Sequence, residues 1–153
     1  MNELNFVHAI QRRVWKDHPG SVMLKPNDRN TQGIPDLLIF HHTGVAAIEL
    51  KSVGHAARDR FAPWLSHPFT MPQVTMLRDL ATQGVIALGL IEYRPEDAVY
   101  AMHPYDLSPS TSFDNVINKG QLVSAGGLFL EQMKATMARF AERRRQGEPN
   151  ATV

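Results

Sequence analysis

The stretch that decides the fold reads GIPDLLIFHHTGVAAIELK and runs from Gly33 to Lys51. Two apolar runs of strand length flank the four-residue turn HHTG, and this pattern predicts a β-hairpin. If Phe40 and Val45 close the turn, counting back along the two strands places Asp36 opposite Glu49. Opposite residues have Cβ atoms about 4.5–5.5 Å apart, so two carboxylates would repel each other on one patch of the sheet.

Lys51 follows Glu49 by two residues, so the alternation of a strand places both side chains on one face, while Ile48 and Leu50 point to the other. Two carboxylates and an ammonium group suit a divalent cation and a phosphate, because Mg²⁺ takes oxygen ligands. Alternatively, Asp36 only begins a strand and the other two charges are solvated. We favour the site, because the residues around these charges are apolar on both faces of the strands, as in strands that are covered on both sides. An unpaired charge in such a strand costs stability.

The residues Gly33-Ile34-Pro35-Asp36 followed by Glu49-Leu50-Lys51 resemble the signature of the PD-(D/E)xK nucleases. The Gly-x-Pro-Asp form is most similar to the VRR-NUC and Holliday-junction-resolvase-like members, and the match covers about residues 3–102. The resemblance implies an α/β fold with a restriction-endonuclease-like αβββαβ core, in which helices flank a mixed central sheet.

The resemblance also implies roles for individual residues. Asp36, Glu49 and the backbone carbonyl of Leu50 are expected to hold Mg²⁺ or Mn²⁺, with Lys51 near the attacked phosphate. Gln73 matches a helix glutamine that resolvase-like nucleases place beside this lysine, although the connection that precedes it is longer than in compact relatives.

Two of the expected site residues have an alternative structural explanation. Resolvase-like nucleases carry an acid on the first helix that reaches the metal, which makes Glu3 a further candidate ligand. The alternative is that Glu3 only favours the start of a helix. Similarly, Gln73 stands three residues after Thr70, and this spacing predicts a capping box at the start of the second helix.

Composition excludes several classes of function. The chain has 153 residues, which predicts a single domain (residues 1–153) that is large enough for a real core. It has no cysteine, which excludes disulfides, thiol nucleophiles and Cys-zinc sites. No apolar run reaches about 18 residues and the start lacks a basic segment followed by an apolar one, so we expect a cytoplasmic protein of bacterial or phage type, without membrane contact.

The remaining pattern predicts the order of elements. A helix is expected over residues 3–16, strands over 21–25, 85–93 and 98–102, and a second helix from Thr70 to Gly84. Residues 103–145 form a C-terminal helical extension, irregular over 103–121 and helical over 128–145, before a tail at 146–153. The apolar stripe of this last helix either packs on the domain or forms a homodimer interface.

DNA binding is expected to come from local clusters, because the net charge is only +1. In the long loop 52–69, basic residues alternate with aromatic ones, which suits a nucleic-acid strand on whose bases Trp64 can stack. The alternative is a lid held down by Phe61 and Trp64. The candidate DNA-binding residues are Arg12, Arg13, Lys25, Arg29, His55, Arg58 and Arg60, and the C-terminal arginines 139 and 143–145 are further candidates.

These expectations together predict a Mg²⁺- or Mn²⁺-dependent endodeoxyribonuclease without an organic cofactor. The metal would activate a water molecule and neutralise charge on the phosphate. The resemblance implies branched or structured DNA as the substrate, whereas the residues alone do not select it. Two alternatives remain: a DNA-binding or assembly protein on a nuclease fold without turnover, and a restriction-type endonuclease.

Overall fold

The fold is described from a computed structural model, which describes residues 3–26 and 32–147. Within these residues, four α-helices and six β-strands follow one another along the chain. The helices are α1 (Glu3–Asp17), α2 (Met71–Thr82), α3 (Phe113–Lys119) and α4 (Phe129–Arg145). The strands are β1 (Val22–Leu24), β2 (Leu37–His41), β3 (Gly44–Val53), β4 (Ile86–Tyr93), β5 (Ala98–Met102) and β6 (Gln121–Leu122).

The six strands form one mixed sheet in the order β1-β2-β3-β4-β5-β6. Strands β3 and β4 are parallel and are connected through α2, whereas all other neighbours are antiparallel. The expected αβββαβ order is thus present from α1 to β4. In the described part of the chain, no helix is both long and apolar enough to span a membrane.

Two apolar cores cover the two faces of the sheet. Helices α1 and α4 pack on one face, together with Ile48 and Leu50 of β3. Helices α2 and α3 pack on the other, together with Ala47 and Val53. All residues from 46 to 51 are buried, as predicted for a strand that is covered on both faces. Since side chains alternate along a strand, Glu49 and Lys51 project toward the α2 layer.

The hairpin has the predicted register but a tighter turn. Phe40 pairs with Val45 and Leu37 with Ile48 as expected. His41 and Gly44 also pair, however, so the turn consists of two residues rather than four. The expectation of a four-residue turn was wrong because the side chain of His41 supports the tighter form: its Nδ1 lies 2.7 Å from Oγ1 of Thr43.

Helix α1 differs from its predicted apolar stripe at one position. Val7, Ile10 and Val14 are buried as expected, whereas Leu4 is 46% exposed and Phe6 occupies the core in its place. Leu4 lies in the first turn of the helix, next to the end of the described segment. The apolar spacing therefore predicted which face of α1 is buried, but not which residue of the first turn lies on that face.

The region 103–121 was expected to be irregular and is not. Ser112 and Asn115 form a capping box that begins α3, and Val116 of this helix is fully buried. The polar composition that suggested a loop belongs to the cap and to the exposed side of a short helix. Helix α4 buries Leu130, Met133 and Phe140 in the core with α1, which supports packing on the domain.

Candidate active site

Asp36 is the last residue before β2 and lies at the mouth of the hairpin. Its Oδ2 accepts a hydrogen bond from the backbone N–H of Leu50 at 2.9 Å, which fixes the carboxylate beside β3. Gly33 brings this segment against α2, because its φ is +84° and a Cβ there would lie 2.3 Å from the carbonyl oxygen of Pro72. Only glycine has both the left-handed backbone and the small volume that this contact requires.

Glu49 is a carboxyl group buried in the middle of the sheet. It is 1% exposed, and its Oε1 accepts a hydrogen bond from Nε2 of Gln73 at 2.7 Å. Its other oxygen, Oε2, is buried and has no hydrogen-bond partner among the described residues. A buried polar atom without a partner costs free energy of about 1–3 kcal/mol, so this oxygen is an acceptor in need of a proton or a cation.

The surroundings of Glu49 disfavour its charge. Burial is the main cause that raises the pKa of this carboxyl, and the negative charge of Asp36 raises it further, to about 9. Lys51 acts in the opposite direction but does not compensate. A carboxyl group in this state keeps a proton at neutral pH unless a stronger positive charge is supplied.

Lys51 lies between the buried carboxyl group and an aromatic ring. Its Nζ is 3.8 Å from Oε1 of Glu49 and 5.6 Å from the ring centroid of Phe69, and the residue is only 6% exposed. Phe69 can lie against the sheet because Gly89 stands opposite Glu49 on β4, where a Cβ would lie 3.0 Å from the ring. Sequence reasoning missed Phe69, for which the only signal was its place just before the helix cap.

Gln73 makes the contacts of a capping box and also contacts Glu49, while its role in catalysis stays a prediction. Its Oε1 accepts a hydrogen bond from the backbone N–H of Thr70 at 2.9 Å, and its own N–H donates to Oγ1 of Thr70 at 3.3 Å, which completes the capping box. Its Nε2 remains available for Glu49. The two explanations do not compete, because they use different atoms of one amide.

The arrangement of Asp36 and Glu49 fits a divalent cation. Two carboxyl groups lie close together, and the buried Oε2 needs a positive partner. In the segments 3–26 and 32–147, no group of three acidic, histidine or cysteine side chains is placed to hold a metal. Glu3 lies in the first turn of α1, and its role as a ligand stays a prediction, as does that of the Leu50 carbonyl.

The candidate DNA-binding residues fall into two groups. Arg12, Lys25, His55 and Arg58 are exposed. Arg13 and Arg60 are engaged within the protein: the first binds Asp17, and the second binds Asp114 with an N–O distance of 2.7 Å. Arg29 lies outside the described residues. The helix that carries Arg12 and Arg13 covers the face of the sheet opposite to α2.

The aromatic residues of the long loop do not behave as a stacking surface. Trp64 is only 5% exposed and packs edge-on against Tyr93 and Phe113. It therefore holds the loop down, as the lid alternative stated, and base stacking by Trp64 is contradicted. Phe61 is 71% exposed and does not hold the loop down, with Arg60 over its ring.

Comparison with known proteins supports the fold. No family model and no curated protein matches the chain. Among solved structures, it is similar to Hjc of Archaeoglobus fulgidus, a Holliday junction resolvase from an archaeal hyperthermophile, with a TM-score of 0.51 and 14% sequence identity. The alignment covers 87% of this chain and 98% of the resolvase. The α/β fold predicted from the sequence, a mixed sheet flanked by helices with a restriction-endonuclease-like core, is therefore confirmed.

Proposed function

We propose that the protein is a metal-dependent DNA endonuclease that acts on branched or structured DNA. The observation that carries the proposal is the buried Glu49, whose Oε2 has no hydrogen-bond partner within segments 3–26 and 32–147 although Asp36 and Lys51 lie beside it. The fold shared with a Holliday junction resolvase supports a nuclease and favours branched DNA as the substrate class. The Gly33–Asp36 element, of the form shared by VRR-NUC and resolvase-like nucleases, supports the same assignment.

Asp36 and Glu49 would hold Mg²⁺ or Mn²⁺, and the Leu50 carbonyl is the proposed third ligand. A divalent cation supplies a nucleophilic water at neutral pH and neutralises charge on the phosphate. The chain contributes fixed positions. The backbone N–H of Leu50 orients the carboxylate of Asp36, and the side-chain amide of Gln73 orients the carboxylate of Glu49.

Lys51 would stabilise the negative charge that develops on the phosphate during attack. Phe69 lies against it and limits the access of water, and a positive charge acts more strongly on a nearby phosphate where water is excluded. The DNA backbone would approach through the exposed Arg12, Lys25, His55 and Arg58, with Arg29 as a further candidate.

The decisive experiment compares four DNA substrates of the same sequence: linear, nicked, flapped and four-way. Each is incubated with the purified protein in Mg²⁺, Mn²⁺ or EDTA, and Glu49→Gln, purified in the same way, serves as the inactive control. We expect metal-dependent cleavage, fastest on the four-way or flapped DNA, and none by the variant. Binding without cleavage on all four substrates would support the DNA-binding alternative, and equal cleavage by Glu49→Gln would exclude this site.

A further inference from the structure

Helix α1 presents a basic surface with a tryptophan on it, apart from the carboxylate site. Residues three or four apart on a helix are neighbours, with Cβ atoms about 5–6 Å apart, so Arg12 lies next to three other exposed residues of this helix. We call the four residues together the α1 surface: His8, Arg12, Trp15 and Lys16.

The exposure of Trp15 is the feature that indicates a partner. The residue is 56% exposed, whereas Trp64, the other tryptophan of the chain, is only 5% exposed. Burying an aromatic side chain of this size removes about 150–250 Å² from water, so Trp15 forgoes much of the stabilisation that a core tryptophan supplies. Tryptophan is enriched at interfaces, where its ring anchors a partner. Trp15 is therefore a candidate contact residue.

The charges around Trp15 favour a polyanion as this partner. Every exposed side chain from Glu3 to Asp17 is basic or uncharged. The two acids of the helix, Glu3 and Asp17, lie at less exposed positions, and Asp17 accepts hydrogen bonds within the protein. Arg12 and Lys16 can bind phosphates while the ring beside them stacks on a base. The surface is thus complementary to a strand of nucleic acid.

A second copy of this chain fits the same surface less well. In a two-fold dimer one patch meets itself, so Arg12 and Lys16 of one protomer would lie near those of its partner. Like charges that are brought together across an interface cost free energy. A DNA strand brings the opposite charge instead.

The α1 surface and the carboxylate site lie at different places on the molecule. His18, the residue after α1, has its ring 5.0 Å from the ring of His41 at the hairpin turn. Asp36 precedes His41 by five residues, which corresponds to about 16 Å along a strand. Helix α1 also covers the face of the sheet opposite to α2. Branched DNA has arms that leave in different directions, so one DNA molecule can occupy both places.

We propose that the α1 surface binds a single-stranded segment of branched DNA, with an unpaired base stacked on Trp15 and adjacent phosphates held by Arg12 and Lys16. Bases in an uninterrupted duplex are paired and stacked on one another, and freeing one of them costs energy. A flap already contains free bases. The inference rests on the proposed function and narrows its substrate class to DNA with a single-stranded segment.

The first arm of the test follows the fluorescence of Trp15 in the full-length, metal-free protein. Trp64→Phe leaves Trp15 as the only tryptophan and keeps an aromatic ring beside Tyr93 and Phe113. Oligothymidylate should quench this fluorescence to saturation and protect it from iodide, because a stacked base covers the ring. A duplex with hairpin-closed ends should do neither. Trp15→Leu, which retains only the buried Trp64, should show no quenching and guards against misfolding of the first variant.

The second arm measures affinity for flapped DNA and for the closed duplex by anisotropy at constant ionic strength. Trp15→Ala should bind flapped DNA about tenfold more weakly, as expected for one stacked base, and the closed duplex within twofold of the wild type. Trp15→Phe should keep most of the affinity. Leu4→Ala is the matched control, because it shortens another exposed apolar side chain of α1, and it should change neither affinity.

The outcomes separate this inference from the proposed function. Unchanged Trp15 fluorescence on a protein that binds flapped DNA would overturn the inference and leave the nuclease function standing. Equal losses of affinity for both DNAs in Trp15→Ala would also overturn it, as would a Trp15 signal that changes with protein concentration alone, which would indicate a second copy. A protein that binds DNA through Trp15 without cleaving it would remove the nuclease function and keep the α1 surface.

Discussion

The carboxylate site and the basic cleft around His103, which lies between α2 and α4 and is lined by Arg144 and Arg145, are opposite in charge but similar in construction. Each contains a buried titratable group beside neighbours of the same sign: Glu49 with Asp36 in one, His103 with Arg144 in the other. In both, burial is the first cause of the pKa shift and the like charge is the second. The two groups differ in their hydrogen bonding: both ring nitrogens of His103 have a partner, whereas Oε2 of Glu49 has none among the described residues. The comparison teaches that a shifted pKa alone does not indicate a ligand, and that the unpartnered oxygen is what favours a cation beside Glu49.

The largest expected effect separates catalysis from binding. Lys51→Met keeps the length of the side chain against Phe69 but removes its charge, so cleavage should fall at least about a hundredfold, as expected for the loss of one transition-state charge partner. DNA affinity should change only a few-fold, because one phosphate contact is a small part of backbone binding. Single-turnover cleavage and DNA affinity are measured on the same preparation.

Lys134→Met is the matched control, since Lys134 is an exposed lysine on α4. It should cleave at the wild-type rate. If the Lys51 variant also cleaves at the wild-type rate, the carboxylate site is not the catalytic site. The difference between this site and the cleft around His103 would then not be related to cleavage.

The next effect tests the basic cleft through the pH dependence of stability. Burial is the main cause that raises the pKa of Asp106 to about 6, whereas that of His103 is lowered to about 4. As pH falls from 6.5 to 4, the unfolded state takes up more protons at His103, which lowers the free energy of unfolding. Between pH 6 and 4 the folded state takes up more at Asp106, which raises it. The two contributions oppose each other in the wild type.

Single variants should separate these contributions. His103→Asn should become more stable relative to the wild type as pH falls toward 4, and Asp106→Asn less stable, each by roughly 2–3 kcal/mol, since one pKa unit corresponds to about 1.4 kcal/mol. Urea unfolding at pH 7, 5.5 and 4.5 measures both. Parallel pH profiles for the three proteins would show that neither group carries a shifted pKa.

A smaller effect tests the acidic site as a cation site. A cation at ten times its Kd stabilises the folded state by about 1.4 kcal/mol, which raises the melting temperature by roughly 3–6 °C for a domain of this size. Asp36→Asn should lose most of this rise with Mg²⁺ or Mn²⁺. Without metal it should melt no lower than the wild type, because asparagine can still accept from the Leu50 N–H.

Calorimetry with and without metal measures this response. Asp79→Asn is the matched control, because Asp79 is an exposed acid on α2, and it should respond as the wild type does. Equal metal responses of the Asp36 and Asp79 variants would remove Asp36 from the proposed ligands.

The smallest effect distinguishes two arginines of the long loop, one of which is ion-paired. Arg58 and Arg60 are both exposed, but Arg60 is bound to Asp114. Arg58→Gln should make the salt dependence of DNA binding shallower by about one, and Arg60→Gln should leave it unchanged. Fluorescence anisotropy with labelled duplex over a salt series measures both. A larger change for Arg60→Gln would mean that its pairing with Asp114 breaks on DNA.

The proximity of the acidic residues could be predicted because it follows from local rules. Asp36, Glu49 and Lys51 lie within one hairpin, where the turn sets the register and the alternation of side chains sets the face. Gln73 could be predicted twice, from its spacing after Thr70 and from the resemblance. The fold class followed from the order of apolar segments, which depends little on exact boundaries.

The basic cleft could not be predicted in the same way. His103 and Arg144 are far apart in the sequence and meet only because the last turn of α4 lies next to the end of β5. Trp64 was equally ambiguous, because an aromatic residue in a polar loop has the same pattern whether it faces the core or a base. Short α3 was missed because its capping residues, Ser112 and Asn115, have the composition of a loop.

The dual role of Gln73 narrows the substitutions that this position can accept. A capping box alone would accept glutamate as readily as glutamine. Glutamate at residue 73, however, would place a third carboxylate where Nε2 now donates to Glu49, 2.7 Å away. Asparagine would keep the amide chemistry but is one methylene shorter. Mutational scanning of residue 73 should therefore find glutamine strongly preferred. Substitutions that remove its amide should lower the stability of α2 and also disturb the position of Glu49.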